Sequence, residues 1–105
     1  MVKKKTNPAC PLAQRLREAR TIKGLSQKQL GILAGIDQFS ASPRINQYEQ
    51  GKHLPDYKMA KRLAAAVDVP VTYLYADDDE MALLILLLAK SSRRIRTQIK
   101  KLLKG

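Results

Sequence analysis

Apolar side chains recur at helical spacing along most of the chain. Leu12, Leu16, Ala19 and Ile22 stand four, three and three residues apart, and Gln14, Arg15, Arg17, Glu18 and Lys23 fill the opposite face. This pattern predicts an amphipathic helix with its leucines inward, closed by Gly24. Ser26 follows as an N-cap, with Gln29 at the capping-box position and Leu25 placed to staple against Leu30, so a second helix starts there. It turns Leu30, Leu33 and Ala34 inward and stops at Gly35, because glycine accepts the left-handed conformation that ends helices. Residues 36–41 read as polar and irregular. Ser42 and Pro43 then read as the cap and first residue of a third helix, which ends at Gly51 and turns Ile45 and Tyr48 to one face. Pro55 and Asp56 open a fourth helix with an inward stripe of Tyr57, Ala60, Leu63, Ala64 and Val67. A short fifth, from Pro70 to Tyr75, closes the core through Val71 and Leu74. No run alternates with a strand period.

Beyond Ala76 the pattern changes. Asp77, Asp78, Asp79 and Glu80 precede an unbroken apolar run from Met81 to Ala89, with Lys90 after it, a charge order that suits a helix dipole. Ser91 and Ser92 break and recap the chain, and Ile95, Ile99, Leu102 and Leu103 then form a narrow stripe among basic residues. A helical hairpin is the expected form of this tail, with one continuous helix as the alternative. The fold class is therefore all-α. Residues 1–10 form a basic, flexible arm, 11–76 one five-helix domain, and 77–105 a helical extension.

Composition narrows what such a bundle does. Across 105 residues there are 20 Lys and Arg against 9 Asp and Glu, a formal charge of +11. A surface of that sign seeks a polyanion, either nucleic acid or an anionic membrane. Cys10 is the only cysteine and His53 the only histidine, so an intrachain disulfide and a Cys/His zinc site are both excluded. Neither residue is assigned a role, and no cofactor is implied. The lysines near the N-terminus lead into no long apolar stretch, so a secretory signal is not expected and a reducing cytoplasm fits best. The run 81–89 is also far shorter than the ~20 residues that span a bilayer.

A capped helix, a glycine turn and a second short helix with an amide-rich outer face describe a helix-turn-helix, whose second helix can enter the major groove of DNA. The residues Leu16-Arg17-Glu18-Ala19-Arg20, Gly24-Leu25-Ser26-Gln27, Gln29-Leu30, Ala34-Gly35-Ile36 and Ile45-Asn46-Gln47-Tyr48-Glu49-Gln50-Gly51-Lys52 carry the likeness further. Together with Pro55, Leu63-Ala64, Val67, Val71 and Leu74, they resemble the phage Cro and repressor type of helix-turn-helix regulator, the xenobiotic response element family. The resemblance covers about two thirds of the chain and implies a lambda-repressor-like, five-helix DNA-binding domain. The chain departs from the pattern by about four extra residues between Gly35 and Gly51, within 36–41. These either extend the approach to DNA or lengthen the turn.

Anchored on Ile45, Glu49 and Gly51, the resemblance puts base-reading positions at Ser42, Pro43, Arg44 and Gln47. Pro43 offers only packing. Arg44 suits guanine O6 and N7, Gln47 suits adenine N6 and N7, and Asn46 stands one position off that line, within reach of a base or a phosphate. Gln27 opens the second helix, where free backbone N–H groups bind phosphate, and Lys28 and Lys52 are further phosphate candidates. By the same resemblance Arg20 and Glu49 form an ion pair tying the first helix to the third, while helical spacing makes Ile45 and Tyr48 core.

Catalysis would need a converging nucleophile, base or metal, which this composition does not supply. The expected function is sequence-specific binding of double-stranded DNA by a transcriptional regulator, a repressor acting as a homodimer. The alternative is an antitoxin-type regulator whose tail binds another protein, and a basic tail lying on anionic lipid is a third reading. Dimerisation is expected because the 81–89 helix is apolar on every side. Leu83, Leu84, Ile85, Leu86, Leu87 and Leu88, with Ile95, Ile99 and Leu102, would leave a contiguous exposed patch in a monomer.

Overall fold

The computed structural model describes residues 10–105, and the predicted N-terminal arm falls almost wholly outside them. Seven helices follow in order: α1 (Leu12–Lys23), α2 (Gln27–Leu33), α3 (Ala41–Glu49), α4 (Tyr57–Ala66), α5 (Val71–Leu74), α6 (Asp79–Lys90) and α7 (Arg93–Lys104). There is no strand among the described residues.

Local chemistry sets most of the boundaries. Gly24 closes α1 in the left-handed region at φ 77°, and its chain neighbour Leu25 returns an N–H to Arg20 O at 3.1 Å. Ser26 and Gln29 form a reciprocal capping box: Ser26 Oγ accepts from Gln29 N at 3.0 Å and Gln29 Oε1 from Ser26 N at 2.8 Å. Asp56, Asp78 and Ser92 cap α4, α6 and α7 from one side, each accepting from the N–H three residues on.

The start of α3 differs from the expectation. Ser42 and Pro43 are not its cap and first residue; the helix begins earlier, at Ala41, and Pro43 is its third residue. A proline is tolerated there because the first turn has no intrahelical acceptor for its missing N–H. Asp37 builds the turn ahead of it. Its Oδ1 accepts from Phe39 N at 2.9 Å and its carbonyl from Ser40 N at 3.0 Å. Hydrogen bonds from the Ser40 side chain and the Phe39 N–H hold the Asp37 carboxyl below its usual range. Ile36 and Ala41 are buried at either end, so the extra residues form a short anchored turn.

The core is built mainly by α1 to α5, with Ala82 of α6 joining it. Leu12, Leu16, Leu30, Ile45, Leu63 and Leu74 are its largest fully buried side chains, and α2 packs most extensively against α3. That contact is close because residue 31 is glycine: a Cβ there would lie 2.6 Å from Ala41 Cβ and 2.8 Å from its Cα. Ile22, Leu33 and Tyr57, expected inward, are exposed. Each sits at or near a helix end that overhangs its neighbours, and the Lys61 ammonium covers the Tyr57 ring at 5.0 Å.

Arg15 is the reverse case: read as surface, it is only 2% exposed. It occupies an inward slot of α1, three residues after Leu12 and one before Leu16. Its Nε donates to Ala76 O at 3.1 Å, and its Nη1 to Asp79 at 3.0 Å and Glu18 at 3.3 Å. The guanidinium lies 5.8 Å from the Tyr73 ring centroid, and burial pushes the Tyr73 hydroxyl pKa up.

The tail breaks at Ser91 and Ser92, as the pattern predicts, but its two helices do not close into a packed hairpin, nor do they form one continuous helix. No residue of α7 is buried, and α7 packs extensively against no other element. The junction is an elbow instead. Arg96 reaches back to the end of α6, donating to Ala89 O at 3.0 Å and to Leu88 O at 3.2 Å, where it joins the N–H and hydroxyl of Ser91.

Candidate nucleic-acid interface

α3 is held from behind and displayed in front. Behind it, Glu49 is buried and accepts Arg20 Nε at 2.6 Å and Nη2 at 3.0 Å, a two-pronged contact that joins α3 to α1. The third arm of the guanidinium, Nη1, donates to Leu25 O at 2.9 Å, so the start of the capped turn is tied to the same point. Ile45 and Tyr48 fill the core beneath.

In front, Pro43, Arg44, Asn46 and Gln47 are exposed, while Ser42 is half-buried. Arg44 and Gln47 lie three apart and therefore share one face. Asn46 is drawn sideways: its Oδ1 accepts from Gln27 Nε2 at 3.3 Å. The same Gln27 amide donates to Glu49 Oε1 at 3.1 Å, which leaves Gln27 half-buried with its side-chain donors directed at α3. What Gln27 offers a phosphate is the backbone N–H at the start of α2, since its side-chain donors are already used on Asn46 and Glu49. Lys28 is exposed beside it. Lys52 is exposed beyond α3, where its N–H donates to Gln47 O at 3.0 Å and keeps the segment close to the recognition face.

Two further cations belong to this face and were missed from sequence. Lys58 and Arg62 on α4 line a cleft with Arg44, together with Tyr48, Leu54, Pro55, Met59 and the α4 cap Asp56. Their spacing of four on the polar side of α4 was the available signal, but it could not show that they line the same cleft as Arg44. Among the described residues no group of His, Cys, Asp and Glu could hold a metal ion, and no helix is long and apolar enough to cross a membrane.

The model of a helix-turn-helix domain matches residues 13–80, which takes in α1 from its second residue, α2 to α5, and the first two residues of α6. The chain belongs to the helix-turn-helix family. Among solved structures, the transcriptional regulator BswR is 41% identical and superposes with a TM-score of 0.80, over 88% of this chain and 91% of that one. The restriction-modification controller protein C.AhdI from Aeromonas hydrophila is 36% identical with a TM-score of 0.54, over 61% of this chain and 91% of its own. No curated protein sequence matches. The family is one of DNA-binding transcriptional regulators, not of enzymes, and this chain is a regulator of that kind.

Proposed function

We propose that this helix-turn-helix protein is a sequence-specific transcriptional repressor that works in the cytoplasm as a homodimer. The observation that carries the reading is the outer face of α3, where Arg44 and Gln47 are exposed on a helix whose back is clamped by Arg20. Arg44 presents two parallel donors to guanine and Gln47 a donor and an acceptor to adenine, with Ser42 and Asn46 flanking them. Gln27, Lys28 and Lys52, joined by Lys58 and Arg62, hold the phosphates on either side and set the register. Occupying a promoter with such a dimer excludes other proteins from it, which makes repression the simplest outcome.

Dimerisation through α6 and α7 is supported by what they leave uncovered. Leu83, Leu84, Leu87 and Leu88 on α6 are 45 to 56% exposed, and Leu102 on α7 is 81% exposed. Ile85 and Leu86 already lean on the core, so the exposed leucines face away from it. A second copy covers them symmetrically and places two recognition helices about 34 Å apart, the spacing of successive major-groove faces.

Footprinting on DNA flanking the protein's own gene, with sedimentation of the full chain and of a chain ending at Ala76, tests both parts. The expected result is a protected two-fold site and a dimer lost on truncation. Uniform weak protection would overturn the sequence-specific reading. A full chain that stays monomeric, or a truncated one that dimerises equally well, would overturn the tail as the dimer interface and favour a different protein as its occupant.

A further inference from the structure

We propose that Arg15 is a positioning residue for operator recognition, fixing the angle at which the tail leaves the reading head and so the half-site spacing the dimer accepts. The proposal rests on the dimeric, DNA-reading function above. α1 carries two guanidinium clamps five residues apart, ~7.5 Å along its axis. Arg20 grips α3 through Glu49, and Arg15 grips the entry to α6 through Asp79 and the carbonyl of Ala76. Recognition helix and tail are thus both referenced to the same helix.

A buried guanidinium is a poor source of stability, because its desolvation offsets its ion pairs and an apolar residue of similar volume would pack as well. Here the offset is larger still, since among the described residues the buried Nη2 atom finds no partner at hydrogen-bonding geometry and has the Tyr73 side chain beside it. What the arrangement does supply is direction. α6 needs it, because Ala82 is its only buried residue and Ile85 and Leu86 are only partly covered. Such narrow packing resists sliding but not pivoting. α6 has 12 residues, so it is ~18 Å long, and a pivot of about 10° at its first turn moves its far end by about 3 Å. That is close to the rise of one base pair, roughly 3.4 Å. A loosened clasp therefore absorbs the translation that comes with one base pair but not the whole of its turn of about 34 to 36°, so the spacing penalty shrinks without vanishing.

The test uses full-length protein and duplexes that the wild-type chain selects from a random-sequence pool, rebuilt with one base pair inserted or deleted between the half-sites. Asp79→Asn and Arg15→Met are compared with Glu80→Gln, which removes a charge from the same first turn of α6 outside the clasp. In both clasp variants the affinity penalty for altered spacing should shrink by about tenfold, with sedimentation still showing a dimer and half-site affinity retained; Glu80→Gln should keep the wild-type penalty. Should Arg15→Met fail to fold, Asp79→Asn carries the test, since it leaves the Ala76 contact in place. An unchanged spacing penalty in a folded, dimeric Asp79→Asn overturns the proposal. A wild-type chain that selects no paired half-sites overturns the reading on which it rests, and the proposal with it.

Discussion

Glu49→Ala and Arg20→Met should both destabilise the fold, and by different amounts. The Glu49 side chain is 2% exposed and that of Arg20 is 16% exposed. Losing one partner of a buried pair costs about 3 to 5 kcal/mol, because the other is left charged without compensation. In Glu49→Ala the stranded guanidinium keeps Leu25 O at 2.9 Å and is open enough to recruit water, which puts the loss near the lower bound, about 3 kcal/mol. In Arg20→Met the stranded carboxylate is nearly sealed and keeps only Gln27 Nε2 at 3.1 Å, which puts the loss near the upper bound, about 5 kcal/mol. A domain of this size shifts by about 4 to 8 °C per kcal/mol, so thermal melts followed by circular dichroism should fall by roughly 15 °C and roughly 25 °C. The double variant Arg20→Met with Glu49→Leu removes both charges and fills the space, and should melt within roughly 5 °C of wild type. Two singles that melt near wild type, or a double variant that is the sum of its singles, would refute the reasoning.

Arg44→Ala or Gln47→Ala should reduce binding to a selected duplex by about 1 to 3 kcal/mol while binding to random DNA barely changes, whereas Lys52→Ala should weaken both and lower the salt dependence of binding by about one unit; an Arg44→Ala protein with full discrimination would mean that α3 is not the reader. Gly31→Ala should lower the melting temperature, because a Cβ 2.6 Å from Ala41 Cβ and 3.0 Å from its carbonyl oxygen forces α2 and α3 apart. That overpacking costs about 1 to 3 kcal/mol against a helix-propensity gain of about 1 kcal/mol, and a raised melting temperature would show the two helices free to part. Asp37→Ala should lower stability at neutral pH but not at strongly acidic pH. The Asp37 carboxyl is held below its unfolded value by Ser40 and Phe39, so its contribution is complete above that unfolded value and lost as pH falls through the lower folded one. Acid melts of the two proteins should therefore converge, and a gap that persists at the acid end would place the effect elsewhere.

Element order was legible in the sequence because its signals are local. The Ser26–Gln29 capping box, the left-handed glycines at 24, 35 and 51, and the serine break after Lys90 each act within a few residues of themselves, and each lies where the pattern put it. The outer face of α3 was legible for the same reason, since Arg44, Asn46 and Gln47 follow from helical period once Ile45 and Tyr48 are turned inward. Period marks a face but not how far along a helix the neighbours extend. Only the packed structure could show that Ile22, Leu33 and Tyr57 overhang the core and that Arg15, on the same stripe as Leu12 and Leu16, is covered. The early start of α3 likewise depends on partners distant in sequence. Ala41 can begin the helix only where Gly31 lets α2 approach, and the Asp37 turn delivers it there. The tail shows the same division. Its two helices and their break are written in caps and apolar stripes, but Arg96 holds them at an elbow, and Leu83, Leu84, Leu87, Leu88, Leu102 and Leu103 stay exposed among the described residues. Local hydrogen bonds are chosen by residues that are already neighbours; burial is chosen by whatever the whole fold brings alongside.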